Sequence, residues 1–315
     1  MSPAGVSAGV SAVGGSAPKV ALVHDRLRPE ETMLFAALER AGADVERVYA
    51  PHWRWEAGAR RIDGEVVLLR TLSHARTLAI ARALEADGAD VVNRARVIET
   101  CGDKAATSAA LAAAGVPQPR TFLAFSPETV IGACEELGWP VVVKPVVGSW
   151  GRMVARCRDA DAIHALLEHK QVLGGPSHQL FYVQEHVDKP GRDLRAFVVA
   201  DRVVAAIARE GDDWRTNTAR GAVVRGVAVD AALERIALAA AGAVGGGVLA
   251  VDLLESSRGL LVSEVNHGLE FRNSVGPTGV DIPAEIAAYL TERARTSGER
   301  ASRSAGASTP LPALQ

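Results

Sequence analysis

The chain has 315 residues, 48% of them apolar, with 35 basic and 37 acidic side chains and a formal charge of −2. That length suffices for two or three domains with real cores, and the lack of a basic excess argues against a nucleic-acid-binding protein. Cys101, Cys134 and Cys157 lie far apart in no paired motif, which reads as a reduced cytosolic protein with neither a disulfide framework nor a zinc site.

Residues 1–18 are rich in Ala, Gly, Ser and Val and carry no charged side chain, so they lack the basic start of a secretory signal. They read as a disordered extension, and residues 296–315, rich in Ser, Ala, Gly and Pro, read the same way. No apolar run approaches the ~20 residues of a membrane span. A cytoplasmic location without membrane attachment is the expectation.

Residues 19–24 form a buried-type strand, after which Pro29 opens a helix with Met33, Leu34 and Leu38 on one face and Gly42 at its end. Short strands over 45–49, 66–69 and 91–92 and a helix over 74–86 follow. Strands alternating with helices predict a parallel sheet covered by helices over residues 19–96, a Rossmann-like front domain. No Gly-x-Gly-x-x-Gly follows the first strand, so this domain reads as scaffold and part of a substrate wall. From residue 97 the pattern changes. A helix over 104–114 is capped by Gly115 and stopped by Pro117 and Pro119. Strands over 141–144, 152–156 and 181–184 and a helix over 159–168 complete a small α+β lid, residues 97–187. Residues 188–295 read as paired strands, a helix over 230–243, two strands ending in polar residues and a last helix from Pro283. The expectation is α/β (α+β) with three lobes and a cleft between the latter two.

The sharpest chemistry lies in the last lobe. Asp252 closes the apolar run from Gly247, and Glu264 and Asn266 close the run from Leu260. Alternate strand residues share a face, so Glu264 and Asn266 point the same way, and Asp252 joins them if the strands pair. Two carboxylates and an amide oxygen are hard ligands suited to Mg²⁺ completed by substrate phosphates. Upstream, Lys104 and Lys144 sit at the edges of apolar segments, able to meet phosphate. Gly148-Ser149-Trp150-Gly151 alone reads as a hairpin turn; Lys144 beside it favours a loop folding over a nucleotide. Gln184, Glu185 and Val187 end an apolar strand where a hinge can offer backbone groups to an adenine edge, although an ordinary strand end looks the same. Asp193 and Arg195 share a strand face and suit a ribose hydroxyl and an anion, or else a surface salt bridge. Arg209, Arg215, Thr216, Asn217, Thr218 and Arg220 combine arginines with small polar groups, as a phosphate or acidic-substrate site or as a solvated loop. His267 is a base or a structural histidine. Gly245-Gly246-Gly247 is assigned to tight helix–strand packing, because no Lys-Ser/Thr follows.

In this order the pieces resemble an ATP-grasp ligase, and more narrowly the RimK-like branch and its LysX-type enzymes. The resemblance spans roughly residues 19–290. It rests on Lys144-Pro145-Val146-Val147-Gly148-Ser149-Trp150-Gly151-Arg152, on Thr216-Asn217-Thr218-Ala219-Arg220-Gly221, and on residues 24–29, 180–185, 189–193 and 265–274. It implies a three-lobed ATP-grasp fold behind a pre-ATP-grasp domain. Lys104, Lys144, Gly148, Ser149, Trp150, Gly151 and Gln184 would serve ATP, with Glu185 and Val187 on adenine and Asp193 on ribose. Arg215, Thr216 and Asn217 would line the phosphate and substrate side, and Asp252, Glu264 and Asn266 would hold two Mg²⁺, with Mn²⁺ a possible substitute. Arg195 and Arg220 would be catalytic; Arg209, Asn217, Thr218, Arg220 and His267 would meet substrate. Ala222 and Gly268-Leu269 depart from the pattern of many relatives near the amino-acid pocket.

The resemblance also implies the reaction. A carboxylate attacks the γ-phosphate of ATP, and an incoming amine displaces phosphate from the acylphosphate to give an amide. The implied substrates are α-aminoadipate or glutamate and the C-terminal glutamate of a small acidic LysW-like carrier, with Arg26, Arg28, Arg54, Arg60 and Arg61 as candidate docking residues. Two other readings stay open: a RimK-like glutamate ligase acting on another protein or peptide, and a non-catalytic ATP-binding module. Related ligases often form dimers or tetramers, so a homo-oligomer is among the expectations.

Overall fold

The computed structural model describes residues 16–59, 62–148, 152–172, 175, 179–211, 213–216 and 221–306, with side chains to residue 298. The front lobe comprises β1 (Lys19–His24), α1 (Pro29–Arg40), β2 (Asp44–Tyr49), β3 (Val66–Arg70), α2 (His74–Ala86) and β4 (Asp90–Val92). Its strands are all parallel in the order β2-β1-β3-β4. β1 and β3 are buried on both faces, hence their near-continuous apolar runs. α1 begins where Pro29 presets the first helical residue, and Glu31 reaches back to the Arg28 amide at 3.0 Å.

α3 (Ala95–Gly102) and α4 (Lys104–Ala113) follow. The sequence reading placed them in the lid, but they pack elsewhere. Ile98 of α3 lies in the front-lobe core, while Val97, Cys101 and Leu111 lie in the core of the last lobe. A helix apolar on two sides is driven between two cores. The lid sheet therefore begins only at β5 (Thr121–Ala124), followed by α5 (Pro127–Leu137), β6 (Val141–Lys144), β7 (Ala155–Cys157), α6 (Ala160–Val172) and β8 (Phe181–Glu185), with strand order β5-β8-β6-β7. β5 and α5 were not anticipated. β5 is four residues long with an exposed Leu123, too short to display alternation. α5 did carry a signal, Pro127 at its start inside a Ser126–Thr129 capping box.

The last lobe holds β9 (Arg192–Val199), β10 (Arg202–Glu210), β11 (Val223–Val227), α7 (Ala231–Val244), β12 (Val248–Ser256), β13 (Gly259–Asn266), α8 (Arg272–Thr278) and α9 (Ile282–Gly306). Its antiparallel sheet runs β11-β10-β9-β12-β13. One face packs Ala196, Val198 and Val251 against α7; the other packs Phe197, Val199 and Ala250 with α1, α9 and β1. The helix assigned to begin at Pro283 starts at Ile282 and runs on to Gly306, through residues expected to belong to the tail. Among the described residues no helix is long and apolar enough to cross a membrane.

One side chain pins the front lobe to this sheet. Buried Asn93 accepts from the Val248 amide at 2.7 Å and donates to the carbonyls of Val248 (2.8 Å) and His267 (2.9 Å). Gly247 has no room for a side chain, since a Cβ there would lie 2.1 Å from Asn93 Oδ1. Asn93→Ala orphans these buried backbone groups, at about 1–3 kcal/mol for each one left unsatisfied. We expect a loss of stability of about 3 kcal/mol or more, read as a lowered urea midpoint.

Candidate active site

The register of the last sheet assembles the charged cluster. Asp252 on β12 is paired with Glu264 of β13 on one side and Arg195 of β9 on the other; Arg209 of β10 is paired with Asp193. Directly opposed side chains share a face, so Asp193, Arg195, Arg209, Asp252 and Glu264 crowd together, with Asn266 two residues beyond Glu264. Arg195 makes a bidentate pair with Asp252, Nε to Oδ1 at 2.7 Å and Nη2 to Oδ2 at 2.9 Å. Arg209 spans two carboxylates, reaching Asp193 Oδ1 at 2.6 Å and Asp252 Oδ2 at 3.3 Å. Burial pushes the Asp252 carboxyl up, but Arg195 and Arg209 outweigh it and hold it down to about 2. Arg195 is raised in turn, Asp252 overcoming the opposing effect of burial.

Asp252 and Glu264 with the Asn266 amide fit a hard divalent cation whose remaining positions are filled by phosphate oxygens. Asn266 Nδ2 faces Asp252 Oδ2 at 3.5 Å, and rotation of the amide presents its oxygen instead. Among the described residues no group of three or more His, Cys, Asp or Glu side chains gathers as a metal site, so a cation here depends on this mixed set.

The lysines converge on the same point. Lys104, first residue of α4, donates from Nζ to the Gly148 carbonyl at 2.7 Å and lies 3.3 Å from Glu264 Oε1. Lys144, last residue of β6, is half-buried, with Nζ donating to Gln184 Oε1 at 2.7 Å. Burial pushes its ammonium down to about 8, against the attraction of Glu264. A third lysine, Lys189, escaped notice as a site residue; it donates to Thr216 Oγ1 at 2.6 Å and lies 3.5 Å from Asp193. Its only signal is its position just after a strand end, beside Pro190-Gly191.

These groups border a cleft between lid and last lobe with about 940 Å³ of open space, its mouth included. Val142, Val154 and Leu254 give it an apolar wall suited to a flat ring; the three lysines line its polar side. A second cleft of about 1340 Å³ adjoins it toward the front lobe, and Gly148, Arg209, Asp252 and Glu264 belong to both.

Several expected residues sit differently from their sequence reading. Arg209 is on a buried strand, not in the loop with Arg215, because burial is offset by its two carboxylates. Asp193 accepts from Arg209, Thr216 and Lys189, a buried hub in place of the alternative surface salt bridge. Glu185 commits its backbone amide to the Arg120 carbonyl at 3.0 Å, and its carboxylate pairs with Arg258; Val187 lines the first cleft. His267 lies in the second cleft 5.7 Å from the His74 ring, and burial pushes it down to about 4, with His74 and Arg70 adding to the effect. It is neutral at pH 7 and a weak base. Leu269 turns into the core, while Gly268 lines the second cleft. Arg215 and Thr216 line the first cleft. Of the proposed docking arginines, Arg26 and Arg54 are exposed and Arg28 is tied to Glu31 and Glu270. Ser149, Trp150, Gly151, Asn217, Thr218 and Arg220, with Arg60 and Arg61, lie outside the described residues.

Two family models divide the chain between them: a LysX preATP-grasp domain matches residues 20–100 and a RimK-like ATP-grasp domain matches residues 101–290. The chain is 35% identical over 271 residues to the α-aminoadipate–LysW ligase LysX of Saccharolobus solfataricus, covering 85% of this chain and 97% of that protein. It is 31% identical to the glutamate–LysW ligase ArgX of Sulfurisphaera tokodaii, covering 87% of this chain and 98% of that one. The crystal structure of a RimK-domain ATP-grasp protein from Sphaerobacter thermophilus superposes with a TM-score of 0.74 at 29% identity, over 86% of this chain and 98% of that one. The chain belongs to the RimK-like ATP-grasp family, with a LysX-type preATP-grasp domain at its front, and is an ATP-dependent ligase.

Proposed function

We propose that this ligase joins an acidic amino acid, α-aminoadipate or glutamate, to the C-terminal glutamate of a small acidic carrier protein of the LysW type. The single observation that carries this reading is the pair of adjoining clefts with Asp252 and Glu264 in their common wall. The first, with three lysines and an apolar wall, suits a nucleoside triphosphate. The second, with Arg28, Arg70, Arg195 and Arg209 on its walls, suits carboxylates. Relatives named for both amino acids match at nearly the same identity, 35% and 31%, which supports either acid as the substrate.

Lys104 and Lys144 hold the transferring phosphates and oppose their charge. The carrier carboxylate enters from the second cleft and attacks the γ-phosphorus; ADP leaves and an acylphosphate forms. The substrate amine then attacks the acyl carbon, the amide forms and phosphate leaves with one oxygen of the original carboxylate. Asp252, Glu264 and Asn266 would hold two Mg²⁺ ions, which neutralise phosphate charge when bound. The side chains act by position and by fixed charge, so no covalent enzyme intermediate is needed.

The test is the intact mass of a LysW-type carrier after incubation with the ligase, ATP, Mg²⁺ and each amino acid separately. A gain of one α-aminoadipate or glutamate residue that requires ATP is expected. Phosphate release with glutamate and another protein or peptide, but no gain on the carrier, would replace the carrier in this reading.

A further inference from the structure

Among the described residues, five side-chain polar atoms are buried with no hydrogen-bond partner, and four of them gather in one place. His24 Nδ1 and Asp25 Oδ1 lie at the carboxyl end of β1, Arg70 Nη2 at the carboxyl end of β3 and His74 Nδ1 in the first turn of α2. β1 neighbours both β2 and β3, so the crevice between the ends of β1 and β3 is the switch point of the front sheet, where open parallel sheets take their ligands. Arg70 and His74 line the second cleft there.

Arg70 is the informative member. It is 6% exposed, its Nε donates to Glu31 Oε1 at 3.0 Å, and its guanidinium lies 6.0 Å from the Phe271 ring centre. Glu31 is already held by Arg28, at 2.9 Å through Nε and 2.8 Å through Nη2. One carboxylate thus faces two guanidiniums and leaves Arg70 with an unused donor. A buried charged donor without a partner is costly, and a carboxylate is the group that matches it. Among the described residues, the other arginines of this cleft are engaged: Arg195 with Asp252, Arg209 with Asp193 and Asp252, and Arg28 with Glu31 and Glu270. The His74 imidazole lines the same cleft and packs against Gly102, where a Cβ would lie 1.9 Å from His74 Cε1.

We infer that Arg70 binds the side-chain carboxylate of the acidic amino-acid substrate in the crevice between β1 and β3, with His74 alongside. The inference rests on the ligase reading only for the role of the bound amino acid. The front lobe then sets selectivity for a dicarboxylic substrate, while the last lobe sets the phosphoryl chemistry.

The test compares wild type with Arg70→Gln and Arg70→Lys, the second of which keeps a cation beside Glu31 should the first fail to fold. The readouts are kcat/KM for glutamate and α-aminoadipate against glutamine, KM for ATP and for the carrier, and the rise in melting temperature caused by glutamate or glutamine with ADP and Mg²⁺. Loss of the charge-assisted pair is expected to lower kcat/KM for the acids by roughly 10- to 100-fold through KM, with KM for ATP unchanged and discrimination against glutamine collapsing. An unchanged ratio of acid to amide in both variants overturns the inference. A rise in carrier KM alone overturns it too, and gives the carboxylate to the acceptor. If no amino acid is transferred even by wild type, the ligase reading fails separately. Melting then decides: glutamate protecting wild type above glutamine, but not the variants, upholds the site, and equal or no protection sinks it.

Discussion

Asp252→Ala is expected to reduce ATP-dependent amide formation by about 10³-fold or more, because one carboxylate serves three purposes at once. It is a ligand of the proposed cation set, the counter-ion of Arg195 and Arg209, and part of the wall between the two clefts. Removing one fixed electrostatic group from a transition-state site costs about 10² to 10³ in rate, and loss of metal affinity adds to that. The alanine variant also strips buried Arg209 and half-buried Arg195 of a partner, a change of up to about 3–5 kcal/mol when a buried pair is broken. Asp252→Asn separates the effects: it keeps the volume and an acceptor for Arg195, so more of the fold should survive than activity. Phosphate release and a urea midpoint, measured on both variants, check this. An alanine variant with wild-type turnover would remove Asp252 from the chemistry.

Lys144→Met is the second large effect, and its two halves have opposite signs. The methionine abolishes the cation proposed to hold phosphate, so kcat/KM for ATP should fall by about 10²-fold or more. Yet the ligand-free protein should become more stable at pH 7. Burial holds the Lys144 ammonium down to about 8, below its ordinary value, so charging it at neutral pH opposes folding. The expected gain is about 1–2 kcal/mol, reduced by the lost bond to Gln184. The pH dependence follows. A folded pKa lying below the unfolded one means the unfolded chain binds more protons between them. The destabilisation is full below pH 8 and is relieved as pH rises toward about 10.5. Wild type should therefore gain stability over that window relative to Lys144→Met, while its ATP affinity declines, since phosphate prefers the charged lysine. Urea midpoints at neutral and alkaline pH test the first statement; nucleotide titrations at the same two values test the second.

The two strands that carry Asp252, Glu264 and Asn266 were legible because a strand has one simple rule. Alternation aligned Glu264 with Asn266, and the apolar run before Asp252 made pairing with the next strand the natural outcome. Lys104 and Lys144 were legible as cations at the ends of apolar segments. What escaped depended on distant partners. Arg209 looked like a loop residue until Asp193 and Asp252 arrived across two strand pairings to offset its burial. Arg70 ends an apolar strand in the manner of any surface arginine; its burial is set by Glu31 and Phe271, neither near it in sequence. The division between lobes failed for α3 because its apolar faces serve two cores, which a single amphipathic pattern does not announce. Residues 296–306 looked like tail by composition, yet α9, which packs against α1 and β1 through its apolar first half, carries through them.

In the proposed reaction a carboxylate from one cleft is phosphorylated by a nucleotide from the other across the Asp252–Glu264 wall. The most direct measurement labels the carrier's C-terminal glutamate carboxylates with heavy oxygen and follows the label into released phosphate by mass spectrometry. One labelled oxygen in phosphate is expected for each amide formed, and no labelled phosphate without ATP. Amide formation with unlabelled phosphate would contradict it, because the carboxylate oxygen would then never have been joined to phosphorus.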